Sequence, residues 1–292
     1  MKDTAMRFSR ELLKSIPGIA ISANLYRGLL FVKRASLLRI RLTKIDKHLP
    51  FKGILFENGH ASFQISKNSL TSLRILLKRN EVTINDTHKP VFLIEECETA
   101  LEEIFDLMAN EVRAYLGPEA YLDGINWMVS PSNYKSISGN WHTDNVGNRL
   151  KLFVCVSGDG SQPTFIIPSR ERIPPFMSWL KQTFVEAFRW FGMTKNKKIE
   201  GEIALRHSTG TAFLFDTQLL HRGGYEMGAS ARIIFHMEFS NPKKHKISRG
   251  PIGSKSFNSF QFSPALLKIK SFETLLDPER LRVSEDICYY GI

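Results

Sequence analysis

The chain has 292 residues, of which 42% are hydrophobic, so it can bury a sizeable core as a water-soluble globular protein. Its three cysteines (Cys97, Cys155 and Cys288) lie far apart in no C-x-x-C pattern. This excludes a disulfide framework and a cysteine-based zinc site, and it points to a reducing compartment. The net charge of +11 is unevenly placed: residues 1–52 hold twelve Lys or Arg against three acids, a net of +9. Such an imbalance concerns partners, namely nucleic acid, an anionic membrane surface or an anionic substrate.

The N-terminal region mixes Leu29, Leu30, Phe31, Leu37, Leu38 and Ile40 with Lys33, Arg34, Arg39 and Arg41. It reads as a basic amphipathic segment able to lie on anionic lipid. The alternative is a solvated basic edge of the domain. The apolar stretch 16–32 is broken by Pro17, Gly18, Asn24, Arg27 and Gly28, so neither a membrane span nor a signal peptide is expected. The expected location is cytoplasmic, with peripheral contact at the inner face of the cytoplasmic membrane.

Apolar residues Leu101, Ile104, Phe105, Met108 and Val112 recur at helical spacing, and Gly117-Pro118 is a stop signal. A helix is therefore expected over 97–116. Alternation of period two then predicts strands over 126–129, 150–156, 164–167, 211–215 and 231–239, interrupted by one aromatic helix over 174–191. A second basic cluster, Lys243, Lys244, Lys246 and Arg249, follows the last strand. The expected class is α+β, mainly β: an antiparallel barrel or jelly roll with helices packed outside. The chain is read as a single domain over 1–292, with a basic region 1–52, a jelly-roll core 120–240 and a C-terminal extension 241–292.

Trp141-His142-Thr143-Asp144 places a histidine and a carboxylate two positions apart, on one face if the chain is extended. The apolar run from Phe213 leads to a second histidine, His221. Two imidazoles and one carboxylate on one side of an octahedral metal leave three positions open, the arrangement used by non-haem Fe(II) oxygenases. Eleven residues after His221, Arg232 opens a mostly apolar strand, where a cation needs an anionic partner. A ligand carboxylate would supply one, and so would an internal pair with Glu226 or Glu238. A structural zinc would leave Arg232 without a role.

The spacing of His142, Asp144, His221 and Arg232 resembles the Fe(II)/2-oxoglutarate-dependent dioxygenases, in particular the phytanoyl-CoA dioxygenase-like group. Pro168-Ser169-Arg170 looks like that group's P-G-S-H turn but lacks its glycine and histidine, so no role is carried onto it. The resemblance covers residues 126–240 and implies a double-stranded β-helix. It implies iron held by His142, Asp144 and His221, the distal carboxylate of 2-oxoglutarate on Arg232, and O₂ as co-reactant. Aspartate rather than a smaller residue at 144 implies hydroxylation rather than halogenation.

Size, basic N-terminus and triad spacing are most similar to the Kdo 3-hydroxylases, which act on the inner-core sugar of lipopolysaccharide. The expected substrate is thus an anionic glycolipid at a membrane surface; the alternative is a soluble acid, amino acid or secondary metabolite. Nucleic acid is disfavoured, because the related demethylases carry a second arginine six residues after the first and Glu238 stands there. Trp141 is expected to pack and His236 to be a second-layer or satisfied core histidine. Ser230 is expected to serve in a turn or beside the cosubstrate.

Overall fold

The computed structural model describes residues 53–132, 139–144, 149–168, 198–224, 229–241 and 259–291. The basic region 1–52, the helix expected over 174–191 and the cluster at 243–249 lie outside the described residues, as do Ser169 and Arg170 of the turn.

The first described elements are α1 (Ile54–Asn58), β1 (His60–Gln64), α2 (Lys67–Arg79), β2 (His88–Pro90) and β3 (Phe92–Leu93). Of these, α2 is capped by Ser66, whose side chain accepts from the Ser69 backbone N–H. The long helix α3 (Glu98–Leu116) follows a single 3₁₀ turn, Glu95–Cys97, and ends at Gly117. It buries Leu101, Ile104, Phe105, Met108 and Val112, the face that its periodicity predicts.

Eight further strands carry the fold: β4 (Tyr121–Ser130), β5 (Arg149–Ser157), β6 (Thr164–Ile167), β7 (Ile203–Leu205), β8 (Thr211–Asp216), β9 (Leu220–Gly223), β10 (Arg232–Ser240) and β11 (Phe260–Phe262). One antiparallel sheet has the order β1-β8-β5-β10-β4-β2, and a second has the order β7-β6-β9. An isolated antiparallel bridge from His142 to His221 adds the 140–144 segment beside β9. From β4 onward the chain alternates between the two sheets, visiting the small one with 140–144, β6, β7 and β9. That is the winding of a double-stranded β-helix, and the mainly β jelly roll expected from the sequence is what forms.

Alternation along β10 assigns its two faces. Phe235, Met237 and Phe239 join helix α3 and the outward residues of β4 and β5 in the larger core. Ile234 instead joins Phe153, Phe215, Ile166, Leu205 and Leu219 in a smaller core between the sheets. Arg232, His236 and Glu238 share that inner face with Ile234, so the space between the sheets is lined by polar groups around a short apolar patch.

The C-terminal residues add α4 (Lys270–Glu273), β12 (Leu281–Val283) and β13 (Cys288–Tyr290), which with β11 and β3 make a third sheet of order β12-β13-β11-β3. A bulge ties this sheet to the barrel. Glu238 pairs with Gly124 and Phe239 with Leu122, so Asp123 is the extra residue on β4. Its carboxylate takes Arg149 at 2.9 Å from within the barrel and Arg280 at 3.0 Å from the C-terminal segment. Replacing Asp123 with alanine leaves Arg280 buried without its carboxylate. Chemical denaturation should show a loss of about 3–5 kcal/mol, and a loss below about 1 kcal/mol would show that the clamp does not hold the segment.

Candidate metal centre

His142 and His221 are directly opposed across an antiparallel bridge. The His142 N–H donates to the His221 carbonyl at 2.9 Å, and the His221 N–H donates back at 2.8 Å. Directly opposed residues of two strands point to the same face, so the imidazoles meet, with ring centroids 4.4 Å apart. Asp144, two residues from His142, shares that face and is pinned by its N–H donating to the Thr217 carbonyl at 3.0 Å. Its carboxylate lies 3.6 Å from His142 Nε2 and 3.4 Å from His221 Nε2.

The ring orientations suit a metal. His142 Nδ1 lies 2.7 Å from the Asn140 carbonyl, and His221 Nδ1 lies 2.8 Å from the Leu219 carbonyl. Carbonyls only accept, so each neutral ring carries its proton on Nδ1 and presents the Nε2 lone pair towards the aspartate. This is the second-layer arrangement that orients metal-bound histidines. The ligand atoms of the three residues all lie within 4.8 Å of one another, and both histidines are buried. The donor set fits a divalent metal of octahedral preference with open positions.

His221 arrives after the apolar strand expected over 211–215, by way of a turn that the sequence reading did not specify. The strand β8 ends at Asp216, and a turn through Thr217 and Gln218 carries the chain to the opposite sheet, where β9 begins. The Thr217 N–H donating to the Arg149 carbonyl at 2.9 Å and the Gln218 N–H donating to Asp216 at 2.8 Å hold this turn.

Arg232 opens β10 as expected and is 9% exposed. Its Nε donates to the Ser130 hydroxyl at 3.3 Å and its Nη1 to the Gln162 carbonyl. No carboxylate of the described residues pairs with it. Glu238 pairs instead with Arg149 at 3.1 Å and faces Lys151 at 3.9 Å, and Glu226 lies outside the described residues. Burial lowers the Arg232 guanidinium to about 10. Burial, reinforced by the Arg232 charge, holds the adjacent His207 imidazole well below the usual histidine range.

Lys151, on the inner face of β5, was not singled out by its sequence. Its ammonium bonds the Asp144 carboxylate directly. Burial would raise the Asp144 carboxyl, but the charges around it, Lys151 first, hold the group well below the usual carboxylate range. Asp144, Lys151, Glu238, Arg149, Asp123 and Arg280 form one line of alternating charges from the candidate metal group to the C-terminal segment.

Trp141 packs as expected: it is 2% exposed, with the Arg222 guanidinium 5.0 Å from its ring. Ser230 is held two residues before β10, its N–H donating to the Ser161 hydroxyl at 3.1 Å and its carbonyl accepting from Gln162 at 2.7 Å. His236 is buried as expected but not satisfied, with neither ring nitrogen hydrogen-bonded among the described residues.

No family model and no curated protein matches this sequence. Solved structures similar to the chain include HygX from Streptomyces hygroscopicus with nickel and 2-oxoglutarate bound, at 11% identity and TM-score 0.45, covering 64% of this chain and 84% of that one. EctD from S. alaskensis with 2-oxoglutarate and 5-hydroxyectoine is 15% identical with TM-score 0.42, covering 69% of this chain and 80% of its own. EvdO2 from Micromonospora carbonacea var. aurantiaca is 18% identical with TM-score 0.41, covering 68% and 92%. At such distances function is argued from the site itself.

Replacing Asp144 or His221 with alanine should abolish Mn(II) binding measured by calorimetry. The loss should exceed the roughly 10–100-fold typical of outer-layer changes, with the circular dichroism spectrum retained. Unchanged binding in either variant would place the metal elsewhere.

Proposed function

We propose that the protein is an Fe(II)- and 2-oxoglutarate-dependent oxygenase that hydroxylates its substrate. One juxtaposition carries this reading. On the inner face of a single jelly roll stand a His142–Asp144–His221 group with both Nε2 lone pairs turned inward and, towards the other end of β10, a buried arginine that no described carboxylate neutralises. A structural zinc site is closed by four protein ligands, whereas three leave room for reactants. Arg232 suits the far carboxylate of a dicarboxylic cosubstrate, which a guanidinium grips through two parallel hydrogen bonds.

Fe(II), when bound, supplies O₂ activation coupled to the conversion of 2-oxoglutarate to succinate and CO₂, the second oxygen atom going to the substrate as hydroxyl. The chain's own residues place and shield. His142 and His221 keep their tautomers through the Asn140 and Leu219 carbonyls, and Lys151 fixes the Asp144 carboxylate. Arg232 sets the direction of the cosubstrate, and the apolar patch of Phe153, Phe215 and Ile234 excludes water.

For the substrate, we read an anionic molecule held at an anionic surface, with the Kdo sugar of lipopolysaccharide as the best match. The support is the +9 balance of residues 1–52, together with Lys151 and Arg149 on the inner face at the metal end. A metal sharing the Asp144 charge would leave Lys151 more of its attraction for a substrate carboxylate or phosphate. No helix among the described residues is long and apolar enough to cross a membrane, so surface contact would fall to the basic N-terminal region. A soluble acid, amino acid or secondary metabolite is the second reading.

Anaerobic addition of Fe(II) and 2-oxoglutarate should produce a weak visible charge-transfer band; a folded protein without it would remove the reading. Arg232→Ala should raise the 2-oxoglutarate requirement at least tenfold, the scale of a lost charge-assisted contact, while metal affinity stays unchanged. Mass spectrometry of lipid A–core oligosaccharide from cells with and without the gene should differ by one oxygen on Kdo. An identical mass, with no flotation on anionic liposomes, would turn the substrate assignment to the soluble class.

A further inference from the structure

Asn126 on β4 and His236 on β10 are directly opposed. Both belong to the inner face: β10 presents Arg232, Ile234, His236 and Glu238 there, opposite Ser130, Met128, Asn126 and Gly124. The pair therefore lies along the line from the buried arginine to the Glu238–Lys151 level, where Lys151 bonds Asp144. Asn126 is 5% exposed and His236 3%.

Neither side chain is satisfied. Asn126 Oδ1 and both ring nitrogens of His236 are buried with no hydrogen-bond partner among the described residues. Glu238 stands 3.6 Å from His236 Nε2, beyond hydrogen-bonding distance, and is engaged by Arg149. A buried polar group left unpaired costs on the order of 1–3 kcal/mol. Such groups are scarce in folded proteins, and here two side chains that carry them face each other across neighbouring strands. The Phe153 ring, 5.2 Å from the imidazole and nearly edge-on, holds His236 in place without offering a hydrogen bond.

The chemistry of the pair narrows what completes it. Burial, with the nearby Lys151 charge, keeps the imidazole neutral, so it has one N–H donor and one acceptor. A carboxamide turned either way offers its NH₂ or its oxygen. Together they can donate two hydrogen bonds to an oxyanion without adding net charge beside a metal site already lined by alternating charges. Four strand residues from Arg232 to His236 span about 13 Å, enough for a short diacid to lie between the two side chains.

We propose that Asn126 and His236 bind the oxo-acid end of the cosubstrate, between Arg232 and the His142–Asp144–His221 group, by donating hydrogen bonds to its oxygens. The inference rests on the 2-oxoglutarate reading above and adds the residues that hold the reacting end.

The test uses full-length protein loaded with Mn(II) and titrated with 2-oxoglutarate by calorimetry, comparing wild type with Asn126→Leu and His236→Leu. Each variant should bind 2-oxoglutarate about tenfold or more weakly, with Mn(II) affinity unchanged. Each should also melt, without ligand, at or above the wild-type temperature, because an orphaned polar group is replaced by an apolar one of similar size. In an Arg232→Lys background the His236→Leu loss should be additional, since the two residues hold opposite ends. A lower melting temperature in both variants would mean that these side chains have structural partners, and would overturn the proposal. Variant affinities within twofold of wild type would overturn it alone, whereas a wild type that takes up no 2-oxoglutarate would overturn the cosubstrate reading with it.

Discussion

The reciprocal backbone hydrogen bonds between His142 and His221 are the constraint on which the site depends. They are an isolated bridge rather than part of a long ladder, yet they fix two distant parts of the sequence in direct opposition. Direct opposition is what makes both imidazoles share a face. The period of two along the extended chain then brings Asp144 to the same place. Once the bridge is closed, carbonyls at Asn140 and Leu219, each two residues before its histidine, select the tautomer by local geometry alone. The metal group is thus built from backbone pairing and needs little side-chain packing to assemble.

The electrostatics of the barrel interior follow from what that group requires. A carboxylate beside two imidazoles in a partly buried site is stabilised by a cation, and Lys151 supplies it. Lys151 in turn faces Glu238, which engages Arg149, which engages Asp123, which the β4 bulge aims at Arg280. Each charge has a neighbour of opposite sign, so the buried line is tolerated. Arg232 stands apart at the other end, without a carboxylate from the described residues. Between them, Asn126 and His236 are polar, neutral and unpaired. The interior is therefore neutralised at the Asp144 end, positive at the arginine end and unsatisfied in the middle, the profile that the proposed dianionic cosubstrate would need.

Much of this was legible in the sequence, for identifiable reasons. Strands β5, β8 and β10 are long runs rich in β-branched and aromatic residues, and their predicted limits agree with the structure to within a residue. The expected strand 126–129 proves to be β4, Tyr121–Ser130; its first half was hidden because Asp123 and Gly124 sit at the bulge and break the alternation. Strands β7 and β9, three and four residues long, were not expected; β9, Leu220-His221-Arg222-Gly223, lacks the apolar run that marks the equally short β6. The candidate metal group was proposed from two-residue spacing and a distant histidine, and the structure brings its three residues together; Arg232 stood out as a charge heading an apolar strand. Lys151 was not assigned because alternation tells which residues share a face but not which face meets water. In Arg149-Leu150-Lys151-Leu152 the lysine looks like the solvated side of a strand, and only the second sheet makes that side an interior.

The most direct test of the central claim is a crystal structure of the protein with Mn(II) and 2-oxoglutarate, using anomalous scattering to locate the metal. The account predicts one metal bound by His142 Nε2, the Asp144 carboxylate and His221 Nε2, with the dicarboxylate running past Asn126 and His236 to Arg232. A metal held by other residues, or a dicarboxylate that does not reach Arg232, would contradict it.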